Sequence, residues 1–327
     1  MPELKCVVLA NKQYETYMSN EGWQLQEGLQ LAGWKLRGYG YEDNSVDVQS
    51  IIDQDHPDVV MIQDVRDWAN GDSPVKFCNT QILREHSSIF KVMVLKDPWY
   101  CSDFQSMYMG LMGVKACVVY YQQDTVRQHT TWLPQNMSLI RTYHSVDPTQ
   151  AANAYNVNLR REDGLVSGTL EPYETYPMRN WFVRNCAELD LRVLPHPQYY
   201  VQAKSATNAY LRILSQFKVH VATASIYQCA LRKIIESIAT GCIPITNLSS
   251  NDKLPMIDSA IWRARFDQDV YRMHNVLQLA KENWRKDRAL HYARLAWEHY
   301  SYINQGRLLS EEIKRQYYAH FRHRNVC

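Results

Sequence analysis

Nothing in this sequence is apolar for long enough to cross a bilayer: no run reaches the roughly 18 residues that a spanning helix needs. No membrane span is expected. No Cys-x-x-Cys pair occurs among Cys6, Cys78, Cys101, Cys117, Cys186, Cys229, Cys242 and Cys327. A zinc ribbon or dithiol redox centre is therefore not indicated, and thiols set inside apolar runs read as buried and free, the pattern of a reducing compartment. No Gly-x-Gly-x-x-Gly follows the first strand candidate, where the turn reads Asn11-Lys12-Gln13-Tyr14. That counts against a dinucleotide-dependent dehydrogenase. A P-loop and a Gly-x-Ser-x-Gly elbow are missing too. The opening MPELKCVVLA starts directly as a strand, without the zones of a secretory leader, which points to the cytoplasm. The Asn-x-Ser matches at Asn136 and Asn247 are then fortuitous.

Excess charge is also scarce, at 36 Lys and Arg against 34 Asp and Glu, so the whole chain is no polyelectrolyte binder. Its distribution is uneven: residues 271–327 hold eleven Lys and Arg against five Asp and Glu, an excess of six. There Arg285, Lys286, Arg288, Lys314, Arg315, Arg322 and Arg324 interleave with Trp284, Tyr317, Tyr318 and Phe321. Such a face could track DNA phosphates while its rings stack on bases. Equally, these helices could brace the domains with their rings in the core. What the chain does have is apolar material, 46% of 327 residues, enough for two domains each with a core.

Short apolar runs alternate with longer amphipathic ones. Strands are predicted at Cys6–Ala10, Lys35–Tyr39, Asp58–Gln63, Lys91–Leu95 and Lys115–Tyr121, with helices at Glu21–Ala32 and Val46–Gln54 and a further one after Leu95 that runs through Met112. Buried β-branched runs separated by helices make a doubly wound parallel sheet. The pattern fades over 130–156, read as a linker, and restarts. Strands follow at Gly164–Ser167, Leu189–Leu194, Phe217–Ala222 and Cys242–Thr246, with helices at Met178–Glu188, Ala206–Ser215 and Gln228–Thr240. The expectation is an α/β protein of two Rossmann-like domains facing across a cleft, 1–145 and 146–305, with a C-terminal helix over 306–327 bracing them. Ligands of such sheets sit beyond the strand carboxyl ends.

Three segments carry chemistry there. In SIYQCALRKIIESIATGCIPIT, a polar loop with Ser225 and Tyr227 leads into a helix bearing Arg232, Lys233 and Glu236, closed by Gly241. Free N–H groups and cations at a helix start suit a diphosphate, and a carboxylate one turn on suits a ribose diol. In LVSGTLEPYETYPMR, Gly168 and Thr169 follow a strand and Arg179 enters the next helix. In VLPHPQYY, His196 lies in a turn after a strand. The first half offers Asp64 and Asp67 after one buried strand and Asp97 after the next, each a carboxylate able to take a proton from an acceptor hydroxyl, and each also ordinary turn chemistry.

The stretch from Arg232 to Pro244 resembles the donor-site signature of GT-B glycosyltransferases, and within that fold the CgeB-like, spore-maturation-type enzymes. Glu236, Gly241 and Pro244 match position by position, and Tyr176-Pro177-x-Arg179 is similar to the family's first loop in the C-terminal domain. The resemblance implies a nucleotide-sugar donor, taken as a UDP-sugar, with its ribose on Glu236 and its pyrophosphate on Arg179. It implies no further cofactor and no metal, since Arg, Lys and helix N-termini can hold the leaving diphosphate. Many retaining members carry an acid eight residues before the Glu. Here that position is Gln228, which points to inversion. The acceptor stays open, a modified DNA base among the candidates. A nucleotide-sugar epimerase or hydrolase, or a binding module without turnover, would use the same scaffold.

Overall fold

The computed structural model describes residues 3–10, 20–40, 45–63, 65, 76–156, 158, 160–170, 174–195 and 203–322. The chain divides into two units, one of residues 1–143 with 303–327 and one of residues 144–302.

The first unit is built on six parallel strands, β1 (Lys5–Leu9), β2 (Lys35–Tyr39), β4 (Val59–Ile62), β6 (Phe90–Leu95), β7 (Ala116–Val119) and β8 (Ser138–Arg141), in the order β2-β1-β4-β6-β7-β8. The runs VVMI, FKVMVL and ACVV are buried at every position, as strands covered on both faces must be. A separate parallel pair joins β3 (Ser45–Asp47) to β5 (Lys76–Cys78). Asp47 starts the helix Val48–Asp55 by accepting from the Ser50 N–H at 3.3 Å, and His56 ends it at φ 46°.

The sheet's last strand and a helix, Pro148–Ala154, lie in the stretch read as a linker. The edge strand SLIR has one fully buried residue, so it carries no hydrophobic run to detect. The helix follows a capping Asp147 with Pro148 at its first turn, a start signal masked by the surrounding prolines and polar residues.

The chain returns to this unit with its last helix, Tyr302–Arg322. Gly306 lies so close to the helix Asn20–Leu31 that a Cβ on it would stand 2.2 Å from the Gly28 carbonyl carbon. The Trp34 indole donates to Ser310 Oγ at 2.7 Å, and Tyr317 and Phe321 pack on the core of Val8, Val92 and Val118.

The second unit holds β9 (Gly164–Ser167), β10 (Leu191–Leu194), β11 (Val219–Val221), β12 (Ile243–Thr246) and β13 (Trp262–Arg263), all parallel, in the order β10-β9-β11-β12-β13. Its core joins Val166, Val219, Val221 and Ile245 to Phe182 and Leu277 of the covering helices. The helix expected from Gln228 begins four residues later, as Arg232–Ala239. Gln228 has φ 51° and Leu231 is extended, so the preceding residues form a loop. Apolar periodicity carried the reading past the true start because Cys229 and Ala230 are buried without being helical.

The seven cysteines in the described residues are free. Burial pushes the Cys6 thiol up to about 12 and the Cys242 thiol to about 11, so both are inert packing groups.

Candidate functional site

In the second sheet the chain leaves β9 for β10 on one side and returns to place β11 on the other. At such a switch point the loops after the two strands diverge and open a crevice. Ser167, Gly168 and Thr169 leave β9 there, and Ala222, Thr223, Ala224 and Ser225 leave β11.

Gly168 has φ 117°, and a Cβ on it would meet Lys233 Nζ at 2.0 Å and Arg179 Cζ at 3.0 Å. A residue without a side chain is what lets two cations converge on the backbone. Arg179 sits in the first turn of the helix Pro177–Arg184 and is only 2% exposed. Its Nη1 donates to the Thr169 carbonyl at 2.6 Å and its Nε to Thr223 Oγ1 at 3.2 Å, with the guanidinium 3.9 Å from the Tyr176 ring centroid. Lys233, in the first turn of Arg232–Ala239, donates from Nζ to the Ser167 carbonyl at 2.9 Å. Desolvation, reinforced by the Arg179 guanidinium, holds its pKa well below the usual 10.5, while Glu236 pulls the other way.

Glu236 is 3% exposed and forms an ion pair with Arg232, Oε1 to Nε at 3.0 Å, across one helical turn. Those two charges offset each other, which leaves Arg179 and Lys233 as the cations that crowd Gly168. Ser225 is buried and accepts from the Tyr227 N–H at 3.3 Å. Burial raises the Tyr227 phenol above its ordinary 10. Two side chains outside the candidate site residues pin this loop: Asn247 Oδ1 takes the Ala224 N–H and Asp252 Oδ2 the Ala230 N–H, each at 2.9 Å.

Gly168, Thr169, Arg179, Ser225, Tyr227, Arg232, Lys233 and Glu236 thus all lie on the elements that meet at this switch point. His196 falls outside the described residues, as do Asp64 and Asp67. Asp97, in the first unit, stands two residues beyond β6. Its Oδ1 accepts from Tyr121 OH at 2.9 Å, and its carbonyl takes the Tyr100 N–H at 3.0 Å and Gln105 Nε2 at 3.1 Å. The carboxylate is thereby held on a hydrogen-bonded turn.

Sequence reading also missed His220, a fully buried residue of the central strand β11. Its Nε2 lies 2.8 Å from Ser167 Oγ and its Nδ1 2.6 Å from Ser237 Oγ. Desolvation first, then Lys233 and Arg179, hold its pKa well below 6.5, so the ring is neutral. The available signal was a histidine in the middle of the apolar run FKVHVA, which has to find partners inside the protein.

Two Asp-x-Asp triplets, the pattern a metal-dependent sugar transferase would use, are engaged locally. Asp55 of Asp53-Gln54-Asp55 pairs with Arg37 at 2.9 Å and takes Tyr39 OH at 2.6 Å. In Asp267-Gln268-Asp269, Asp267 pairs with Arg272 at 2.7 Å and Asp269 caps the following helix. Among the described residues no group of three or more His, Cys, Asp and Glu could hold a metal ion, and no helix is long and apolar enough to cross a membrane. In the basic C-terminal segment the rings serve packing: Tyr317 and Phe321 join the first core, and Trp284 Nε1 donates to the Gly241 carbonyl at 2.9 Å.

No family model matches this sequence, and no curated protein matches it. Solved structures do. A sucrose-phosphate synthase from Thermosynechococcus elongatus aligns over 97% of this chain and 100% of its own at 9% identity, with a TM-score of 0.57. A glycosyltransferase from Rickettsia africae ESF-5 aligns over 98% and 99% at 9% identity, with a TM-score of 0.56. The fold is GT-B. At that identity the likeness is one of fold, and residue roles in this GT-B chain rest on its own geometry.

Proposed function

We propose that the protein is a glycosyltransferase that binds a nucleotide sugar in its second unit and passes the sugar to an acceptor hydroxyl. The observation that carries this reading is the convergence of Arg179 and Lys233 on the Gly168 backbone at the switch point of a GT-B sheet. Two desolvated cations beside a helix start favour a dianionic diphosphate and its departure as leaving group. Glu236, held by Arg232, is the ribose acceptor. Asp97 takes the proton as the acceptor oxygen attacks the anomeric carbon and the bond to the diphosphate breaks. With Gln228 where retaining enzymes carry an acid, a single displacement with inversion follows, without a metal. The donor is taken as a UDP-sugar, and the finer likeness to CgeB-like enzymes rests on the match at Glu236, Gly241 and Pro244.

The test is a panel of nucleotide sugars scored by thermal shift and by release of nucleoside diphosphate, with and without acceptors. A ligand at about 100 times its Kd adds roughly 2.7 kcal/mol of stability. Stabilisation by one donor class with acceptor-dependent release is expected. Free sugar without acceptor would make the protein a hydrolase, and binding without release a binding module. Modified DNA belongs among the acceptors because of the basic residues 271–327. If it is the acceptor, DNA affinity falls log-linearly with salt.

A further inference from the structure

The buried groups beneath the crevice form a circuit that the reaction above does not use. Start at Ser237, in the middle of the helix Arg232–Ala239. Its hydroxyl donates to the Lys233 carbonyl at 2.5 Å. With that hydrogen committed, Ser237 Oγ is an acceptor, and the partner 2.6 Å away, His220 Nδ1, is the donor. His220 Nε2 is then the bare nitrogen and accepts from Ser167 Oγ at 2.8 Å. Ser167 Oγ in turn accepts from Tyr210 OH at 2.9 Å. Each hydrogen has one acceptor, and the neutral Nδ1–H ring is the form that satisfies them all.

The circuit closes on one residue. Ser167 is the end of β9 whose carbonyl takes Lys233 Nζ, and Ser237 is the residue whose hydroxyl holds the Lys233 carbonyl. His220 thus ties together, from the centre of the sheet, the anchor of the Lys233 ammonium and the anchor of its backbone. The titratable and charged groups around it are Tyr210 on the helix Ala203–Leu214, Lys233 on its own helix, and Arg179 opposite.

We propose that His220 is the positioning residue of the diphosphate crevice, acting on the ligand only through Lys233. The inference rests on the donor-site reading above, and one experiment separates the two. UDP and inorganic pyrophosphate are titrated by calorimetry into the parent, His220→Phe, Lys233→Met and the double variant. Phenylalanine keeps the ring volume and removes both hydrogen bonds. In the parental background His220→Phe raises both Kd values about tenfold, the scale of one charge-assisted hydrogen bond. In the Lys233→Met background the same change moves them less than about twofold, because coupled residues are not additive. Ser237→Ala, which removes only the far link, weakens binding in the same direction and is likewise silent when Lys233 is gone.

An equal loss in both backgrounds would make His220 a general packing residue and overturn the inference while leaving the donor site intact. A parent that binds neither ligand, or a Lys233→Met variant that binds like the parent, would overturn the donor-site reading and this inference with it. If His220→Phe does not fold, Ser167→Ala and Ser237→Ala run the same cycle from the two ends of the circuit, and additivity there overturns the inference equally.

Discussion

At the scale of single residues, the crevice is a problem in charge. Lys233 and Arg179 crowd one glycine, while the Glu236 carboxylate is already paired with Arg232. Because the Lys233 pKa is depressed in the free protein, a share of the molecules lose its proton at alkaline pH where an ordinary lysine would keep it. A bound diphosphate favours the charged form and restores that proton. Binding of UDP should therefore take up protons, and affinity should fall as pH rises toward 10.5. Calorimetry in buffers of different ionisation enthalpy measures the uptake, which Lys233→Met should abolish. Asp97 is a second case. Its hydrogen bond from Tyr121 holds the carboxylate in place, and Asp97→Asn keeps that bond while losing the proton acceptor. Turnover should drop at least about 100-fold, the scale of general base catalysis, with donor Kd unchanged. Normal turnover would remove Asp97 from the reaction.

At the scale of elements, strands were the most legible part of the sequence, and the reason is burial on both faces. Val59–Ile62 and Phe90–Leu95 announce themselves as unbroken apolar runs, whereas Ser138–Arg141, with one buried residue, gives no such run. Of the candidate site, the sequence made visible the residue types that a tight turn or a close backbone approach demands, as at Gly168, and the cation placed after it, Arg179. The site was illegible where it depends on what a side chain meets across the sheet: nothing in FKVHVA reveals that His220 finds Ser167 on one strand and Ser237 on a helix. The start of the helix at Arg232 was hidden for a related reason, since Cys229 and Ala230 are buried in a loop and continue the apolar spacing. Helix packing makes its own prediction. Gly306→Leu forces the last helix off Gly28, where even a Cβ would stand 2.2 Å from backbone. Overpacking of this kind costs roughly 1–3 kcal/mol or more, so the midpoint of urea unfolding should fall, while Gly33→Ala, with nothing near its Cβ but φ 85°, should lose only the milder backbone strain.

At the scale of the whole molecule, the first unit is discontinuous: residues 303–322 belong to it, although 144–302 form the second. Truncation after Tyr302 should strip the core around Trp34 and Phe90 of its covering helix, exposing Val8 and Val92 to solvent. The expected readout is a lower melting transition with binding of a hydrophobic dye, while UDP affinity stays near that of the parent. Lost UDP binding would mean that the two units depend on each other to fold. The same discontinuity bears on synthesis. A ribosome releases the chain from its amino end, and domains generally fold as they emerge. Here the unit that begins the chain is the last to be completed: its sheet must wait, covering helix missing, through the translation of some hundred and sixty residues of its neighbour. The nascent first unit is thus the species most exposed to chaperones and to aggregation, and the speed with which residues 144–302 are translated sets how long that exposure lasts.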